Sequence, residues 1–214
     1  MMTKCFLLLS LLLPTLSMMA QSDKYKTAMV QQIAKLDGAM QNGGFTDLAN
    51  SFERIGDAEK EQWLPYYYAA YCQVMNGFME KDKSKVDPLA DKAEALITKA
   101  ETIAGAPNSE TEVIRSMIAS SRMMVDPQSR WMQYGQVSSG HMEKAKQQDP
   151  ANPRPVYLEA QSKFYTPEQF GGGKAVAAPI FEKAIAMFDQ FKPASEIHPS
   201  WGKSAAEYFL SQCK

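Results

Sequence analysis

Apolar residues recur along most of the chain at the three- and four-residue intervals of amphipathic helices. Alternation of apolar and polar residues, the mark of a half-buried strand, does not extend over any useful length. With glycine and proline as end signals, the pattern predicts nine helices and an all-α protein. The predicted helices are Asp23–Met40, Thr46–Gly56, Trp63–Met75, Pro88–Ala104, Glu110–Val125, Ser129–Gln148, Pro155–Phe164, Lys174–Phe191 and Lys203–Ser211.

Four of these helices carry a similar four-residue string: a large apolar residue, a polar residue, a basic residue, then alanine or isoleucine. The strings are Phe52-Glu53-Arg54-Ile55, Ile97-Thr98-Lys99-Ala100, Met142-Glu143-Lys144-Ala145 and Phe181-Glu182-Lys183-Ala184. Their first residues are spaced by 45, 45 and 39 positions. A repeat of this length without strands predicts an α-solenoid of about four helical hairpins. The helix that follows Trp201 and contains Tyr208 is predicted to cap its C-terminal end.

The repeated positions resemble the second helix of the tetratricopeptide repeat. That helix has a small residue, a large one four later, an alanine three after that and a proline five further on. The residues that fit are Ala93, Ile97 and Ala100; Ser138, Met142, Ala145 and Pro150; and Ala177, Phe181 and Ala184. Strings such as WLPYYYAAYC and VDPQSRWMQYG are similar to those of small exported tetratricopeptide-like proteins of Gram-negative bacteria. The resemblance implies a fold and an exported location and supplies no catalytic residue. With the repeat pattern and the absence of catalytic motifs, we expect a protein- or peptide-binding module.

The first 20 residues are typical of a secretory signal peptide. Lys4 precedes an apolar run from Cys5 to Leu13, and Ala20 is a small residue suited to cleavage after it. The run is too short to span a bilayer, and no later segment is long and apolar enough to do so. We therefore expect a single mature domain, residues 21–214, without a transmembrane segment. It would be periplasmic or secreted.

Charge and motifs narrow the chemistry. The formal net charge of −1 does not suggest a nucleic-acid partner. His141 and His198 lack the neighbours of a metal site, and no GxSxG motif is present. Cys72 and Cys213 remain after the leader, and the sequence leaves open whether they are bridged. We expect a protein that is not an enzyme and has no cofactor or metal.

A run of tyrosines is the best candidate for a binding surface. Tyr67 and Tyr71 are four residues apart and share one face of a predicted helix. By repeat register this face lines the groove of a solenoid, with Met117 and Tyr165 as further candidates. A protein or peptide of the cell envelope would be the partner. Packing of the tyrosines against neighbouring helices is the commoner alternative.

The segment FYTPEQFGGGKAVAAP raises the question of a phosphate loop. A P-loop follows a strand and places Ser or Thr after its lysine, whereas here a helix precedes and Ala175 follows Lys174. The glycines are therefore predicted to form a turn. A weaker alternative is an anion site at Gly172, Gly173 and Lys174, where a helix begins. It would suit a small-ligand binder or an unrecognised enzyme. A structural subunit of an envelope complex is the other alternative function.

Overall fold

A computed structural model of the chain describes the backbone of residues 13–214 and the side chains of residues 23–214. Within residues 13–214 the chain forms α-helices, two short 3-10 turns and no strand, which confirms the all-α class. The helices are α1 Leu13–Ile33, α2 Leu36–Asn42, α3 Phe45–Ala58, α4 Leu64–Met79, α5 Val86–Ala104, α6 Ser109–Met123, α7 Pro127–Gln148, α8 Pro153–Tyr165, α9 Lys174–Gln190 and α10 Lys203–Gln212.

The N-terminal region differs from the sequence prediction. The single helix predicted from Asp23 to Met40 is divided into α1 and α2 by a tight turn, in which the Lys35 N–H donates to the Gln32 carbonyl. Of the predicted signal peptide, residues 1–12 lie outside the described residues, and no side chain before Asp23 is described. Cleavage after Ala20 therefore stays a prediction. None of the described helices combines the length and apolarity needed to cross a bilayer.

The repeated positions are core positions, as their spacing predicts. Phe52, Ile97 and Phe181 have no exposed surface, and Met142 is buried as well. The most extensive contacts join helices that follow one another in the chain: α3 with α4, α4 with α5, α6 with α7, and α8 with α9. This order of contacts agrees with stacked hairpins. The regular superhelix of a tetratricopeptide array stays a prediction.

The buried apolar residues form two clusters. One is built mainly from α3 to α6, and the other from α8, α9 and α10, with Leu158 and Trp201 packed against both. Helix α4 lies at the centre of the first cluster, because every residue from Leu64 to Met75 is buried. Its approach to α3 is close: a Cβ added to Gly56 would lie 2.7 Å from the Tyr66 ring. A glycine is therefore required at this contact.

Candidate functional site

The tyrosine face of α4 is covered by a distant segment of the same chain. We call residues 191–202, which connect α9 to α10, the strap. The Tyr68 hydroxyl donates to the carbonyl of Ile197 at 3.0 Å. The Trp201 indole N–H donates to the Tyr67 hydroxyl at 2.9 Å, and the Trp201 ring lies 4.8 Å from that of Tyr71. The strap thus occupies the face that the repeat register assigned to a ligand.

A buried ion pair holds the strap from below. The guanidinium of Arg154 has no exposed surface, and it donates to Glu110 Oε1 at 2.8 Å and to the carbonyl of Pro199. The Asn152 amide also donates to Glu110 Oε1, at 2.9 Å, and the Tyr67 hydroxyl donates to Glu110 Oε2 at 3.1 Å. Both carboxylate oxygens therefore have partners. Burial raises the pKa of Glu110, although Arg154 acts in the opposite direction.

The predicted groove residues divide between the interior and the surface. Tyr67, Tyr71 and Met117 are buried, whereas Tyr165 is 68% exposed. Burial also raises the pKa of the Tyr67 and Tyr71 phenols well above the ordinary value. Tyr67 and Tyr71 thus pack against neighbouring structure, the alternative that the sequence left open. Of the four residues only Tyr165 presents most of its side chain to solvent.

Tyr165 belongs to an aromatic surface that the sequence did not single out. We call Phe164, Tyr165, Tyr208 and Phe209, at the ends of α8 and α10, the C-terminal aromatic cluster. The Phe209 ring lies 5.3 Å from Phe164, 5.9 Å from Tyr165 and 5.6 Å from Tyr208. Beneath them, Phe209 stacks on the buried Phe181 at 5.7 Å. Because Tyr208 is 61% exposed, the cluster combines a buried base with two open tyrosine rings.

The glycine loop lies beside this cluster. Gly173 has a left-handed φ of 97°, and a Cβ on Gly172 would collide with the Thr166 carbonyl. The N–H of Gly173 donates to the Lys163 carbonyl at 2.9 Å, so it is not free to bind an anion. Lys174 is exposed, and its ammonium nitrogen lies 6.0 Å from the centre of the Phe164 ring. The loop is therefore built as a turn, and its contribution to the surface is the charge of Lys174.

The chain has a relative among solved structures. It is similar to the HusA haemophore from Porphyromonas gingivalis, with 38% sequence identity and a TM-score of 0.78. The match covers 89% of this chain and 92% of the haemophore. The chain belongs to the HusA haemophore family. No protein-family model and no curated protein matches it.

Within residues 23–214 of this HusA-family chain, the two cysteines are not bridged. Cys72 is buried in α4 and Cys213 is partly buried at the end of α10, and both are free thiols. Burial raises the pKa of the Cys72 thiol well above its usual range. Cys72 therefore behaves as a small apolar core residue.

A cavity of about 430 Å³ opens beside the strap. His198 of the strap and Trp63 form one side of it, with ring centres 6.2 Å apart. Two other connections between helices supply Pro107, Asn108 and Asp149. Gln148 at the end of α7, with Ser109 and Glu110 at the start of α6, completes the lining. The sequence could not have placed these residues together, because they come from four separate connections and helix ends.

Proposed function

We propose that this protein is a non-enzymatic haem-binding protein that holds the porphyrin against the C-terminal aromatic cluster. The observation that carries the proposal is the 38% identity to a haemophore over 89% of the chain. A haemophore is a protein that carries haem. The signal-like N-terminus supports export, so we propose that the protein acts in the periplasm or outside the cell.

The chemistry of a porphyrin suits this surface. Haem is a flat apolar ring with two carboxylate side chains, so it needs aromatic rings to stack on and cations at its edge. Tyr165 and Tyr208 offer exposed rings held in place by Phe209, and Lys174 supplies a positive charge beside Phe164. The glycine loop then has a chemical role as well. It is the turn that positions Lys174 to pair with a haem carboxylate.

A peptide-binding groove on α4 is less well supported than the porphyrin proposal. The partner would have to displace the strap, and with it the contacts that Arg154 and Trp201 make. The C-terminal aromatic cluster requires no such displacement, because Tyr165 and Tyr208 are already open to solvent.

Absorbance titration of the purified chain with ferric haem tests the proposal. We expect saturable binding of one haem, with a change in the Soret band. The double variant Tyr165→Ala/Tyr208→Ala should bind about 10-fold more weakly or worse, because loss of stacking of about 1.4 kcal/mol corresponds to a factor of ten. Lys174→Gln should weaken haem binding less than the double variant does, since one exposed charge contributes little to the binding free energy.

Trp131→Ala is the matched control, since Trp131 is a 60% exposed aromatic residue on α7, outside the cluster. It should leave the affinity unchanged. An absence of saturable binding would refute the proposed function. Equal losses in the double variant and in Trp131→Ala would refute the proposed site.

A further inference from the structure

We propose that the cavity beside the strap is a carbohydrate site that accepts one or two pyranose units of a neutral saccharide. The cavity, of about 430 Å³, lies within the size range of small-molecule sites. It is separate from the residues that carry the haem proposal. The inference goes beyond the proposed function and does not depend on it.

The cavity is built on connections between helices, which commonly carry binding residues on a rigid scaffold. Trp63 precedes α4, Asn108 caps α6, Asp149 follows α7, and His198 lies in the strap. Trp63 is held in place by edge-on contacts with Tyr67 at 5.8 Å and with His198 at 6.2 Å. The indole is therefore a preorganised apolar wall, against which the C–H face of a sugar ring can stack.

The polar groups of the lining are planar and only partly used. Asn108 Oδ1 accepts the N–H groups of Glu110 and Thr111, while within residues 23–214 its amide nitrogen has no partner. One oxygen of Asp149 accepts the Ala151 N–H at 3.0 Å. Among the described side chains and backbone, the Gln148 amide makes only a long contact of 3.5 Å, with the Pro107 carbonyl. Donors and acceptors thus remain for hydroxyl groups, which need both at once.

The imidazole of His198 adds one further polar group to the lining. Burial, and the positive charge of Arg154, lower its pKa below the ordinary value, so the ring is neutral near pH 7. A neutral imidazole has one donor nitrogen and one acceptor nitrogen. Because Nδ1 is buried, the nitrogen left for a hydroxyl is Nε2.

The charges in the lining disfavour the other classes of ligand. Glu110 and Asp149 are acidic and would repel an anion, while Glu110 already uses both oxygens on Arg154, Asn152 and Tyr67. Asp149 is then the one remaining acidic group of the lining. The polar residues that surround Trp63 leave too little apolar wall for a lipid or a porphyrin. What fits the whole set is a neutral ligand with many hydroxyl groups.

The test is an NMR titration of the ¹⁵N-labelled full chain with glucose, galactose, N-acetylglucosamine, maltose and lactose. We expect at least one sugar to shift the Trp63 indole and the Asn108 and Gln148 side-chain amides, with saturation at millimolar concentrations. The Trp131 indole, on α7, should not shift. Asp149→Asn and Gln148→Ala should each weaken binding by about 5- to 10-fold, the effect of one lost polar contact.

These two substitutions are preferred to Trp63→Ala, because Trp63 packs on the core and its loss could unfold the chain. Haem affinity should stay unchanged in Asp149→Asn and Gln148→Ala. A negative result in the sugar titration would therefore leave the haem proposal intact. The sugar site would be overturned by the absence of a saturable shift with any of the five sugars. It would also be overturned if both variants bound sugar as tightly as the wild type. Saturation by choline in place of a sugar would indicate a cation site and would overturn it as well.

Discussion

Two aromatic regions of this molecule have similar composition and opposite exposure. The tyrosine face of α4 presents Tyr67, Tyr68 and Tyr71, all buried under the strap. The C-terminal aromatic cluster presents Tyr165 and Tyr208, both more than 60% exposed. The difference is that the first region is covered by a segment that returns from far along the chain, whereas no segment within residues 23–214 covers Tyr165 and Tyr208. Both regions contain tyrosines, so the number of aromatic rings does not decide which region is free to bind. Their position in the fold does.

The covered region depends on the buried ion pair, and removing it should have the largest effect. Arg154→Ala leaves Glu110 as an uncompensated buried carboxylate and takes a donor from the Pro199 carbonyl. We expect a loss of about 3–5 kcal/mol in the free energy of unfolding, measured by urea denaturation. Hydrogen exchange should also rise first in residues 192–200, which the arginine anchors.

Lys203→Met is the control for Arg154→Ala, because Lys203 forms an exposed ion pair with Asp189 at 2.6 Å. Its stability should match that of the unmodified protein within error. A loss as small in Arg154→Ala would mean that the strap is held by its other contacts, including those with Tyr67 and Tyr68, and that the ion pair is not its anchor.

The same substitution made in both regions sharpens the comparison at a smaller scale. Tyr68→Phe removes the hydrogen bond to the Ile197 carbonyl and leaves that buried acceptor without its donor. We expect a cost of about 1 kcal/mol in unfolding free energy. Tyr165→Phe changes a 68% exposed residue and should cost less than about 0.5 kcal/mol.

Thermal and urea unfolding of both Tyr→Phe variants measure the difference. If Tyr165→Phe were the costlier of the two, the exposure of the C-terminal aromatic cluster would be wrong. In that case the haem proposal would lose its open surface.

How far the sequence predicts each region depends on the range of the contacts. Helical periodicity is a local property, so the core positions at Phe52, Ile97 and Phe181 could be read directly from their spacing. The burial of α4 could not be predicted from spacing, since the contact of Tyr68 with Ile197 joins residues 129 positions apart. A fully buried Arg154 also runs against the usual preference of arginine for the surface.

The candidate binding surface was found only in part, for the same reason. Tyr165 is one of the further groove candidates that the sequence offers, and it is exposed. Phe209 and Tyr208 complete the surface, but they lie in α10, where the sequence indicates only a capping helix. Their packing against α8 depends on how the strap returns the chain, and a pattern of three- and four-residue spacings contains no such information.

The smallest effect concerns the pH dependence of the covered region, through His198. Burial and Arg154 lower the pKa of His198 in the folded protein, while the unfolded chain has the ordinary value near 6.5. As pH falls below that value, the unfolded state takes up a proton that the folded state resists, so stability decreases until the pH passes the lowered value. Above pH 6.5 this contribution is complete and constant.

Urea denaturation of the wild type and of His198→Gln between pH 5 and pH 7.5 measures the contribution of His198. The wild type should lose more stability than the variant on acidification. Parallel curves for wild type and His198→Gln would show that the imidazole is not held neutral beside Arg154, and the strap would then be more open than its contacts indicate.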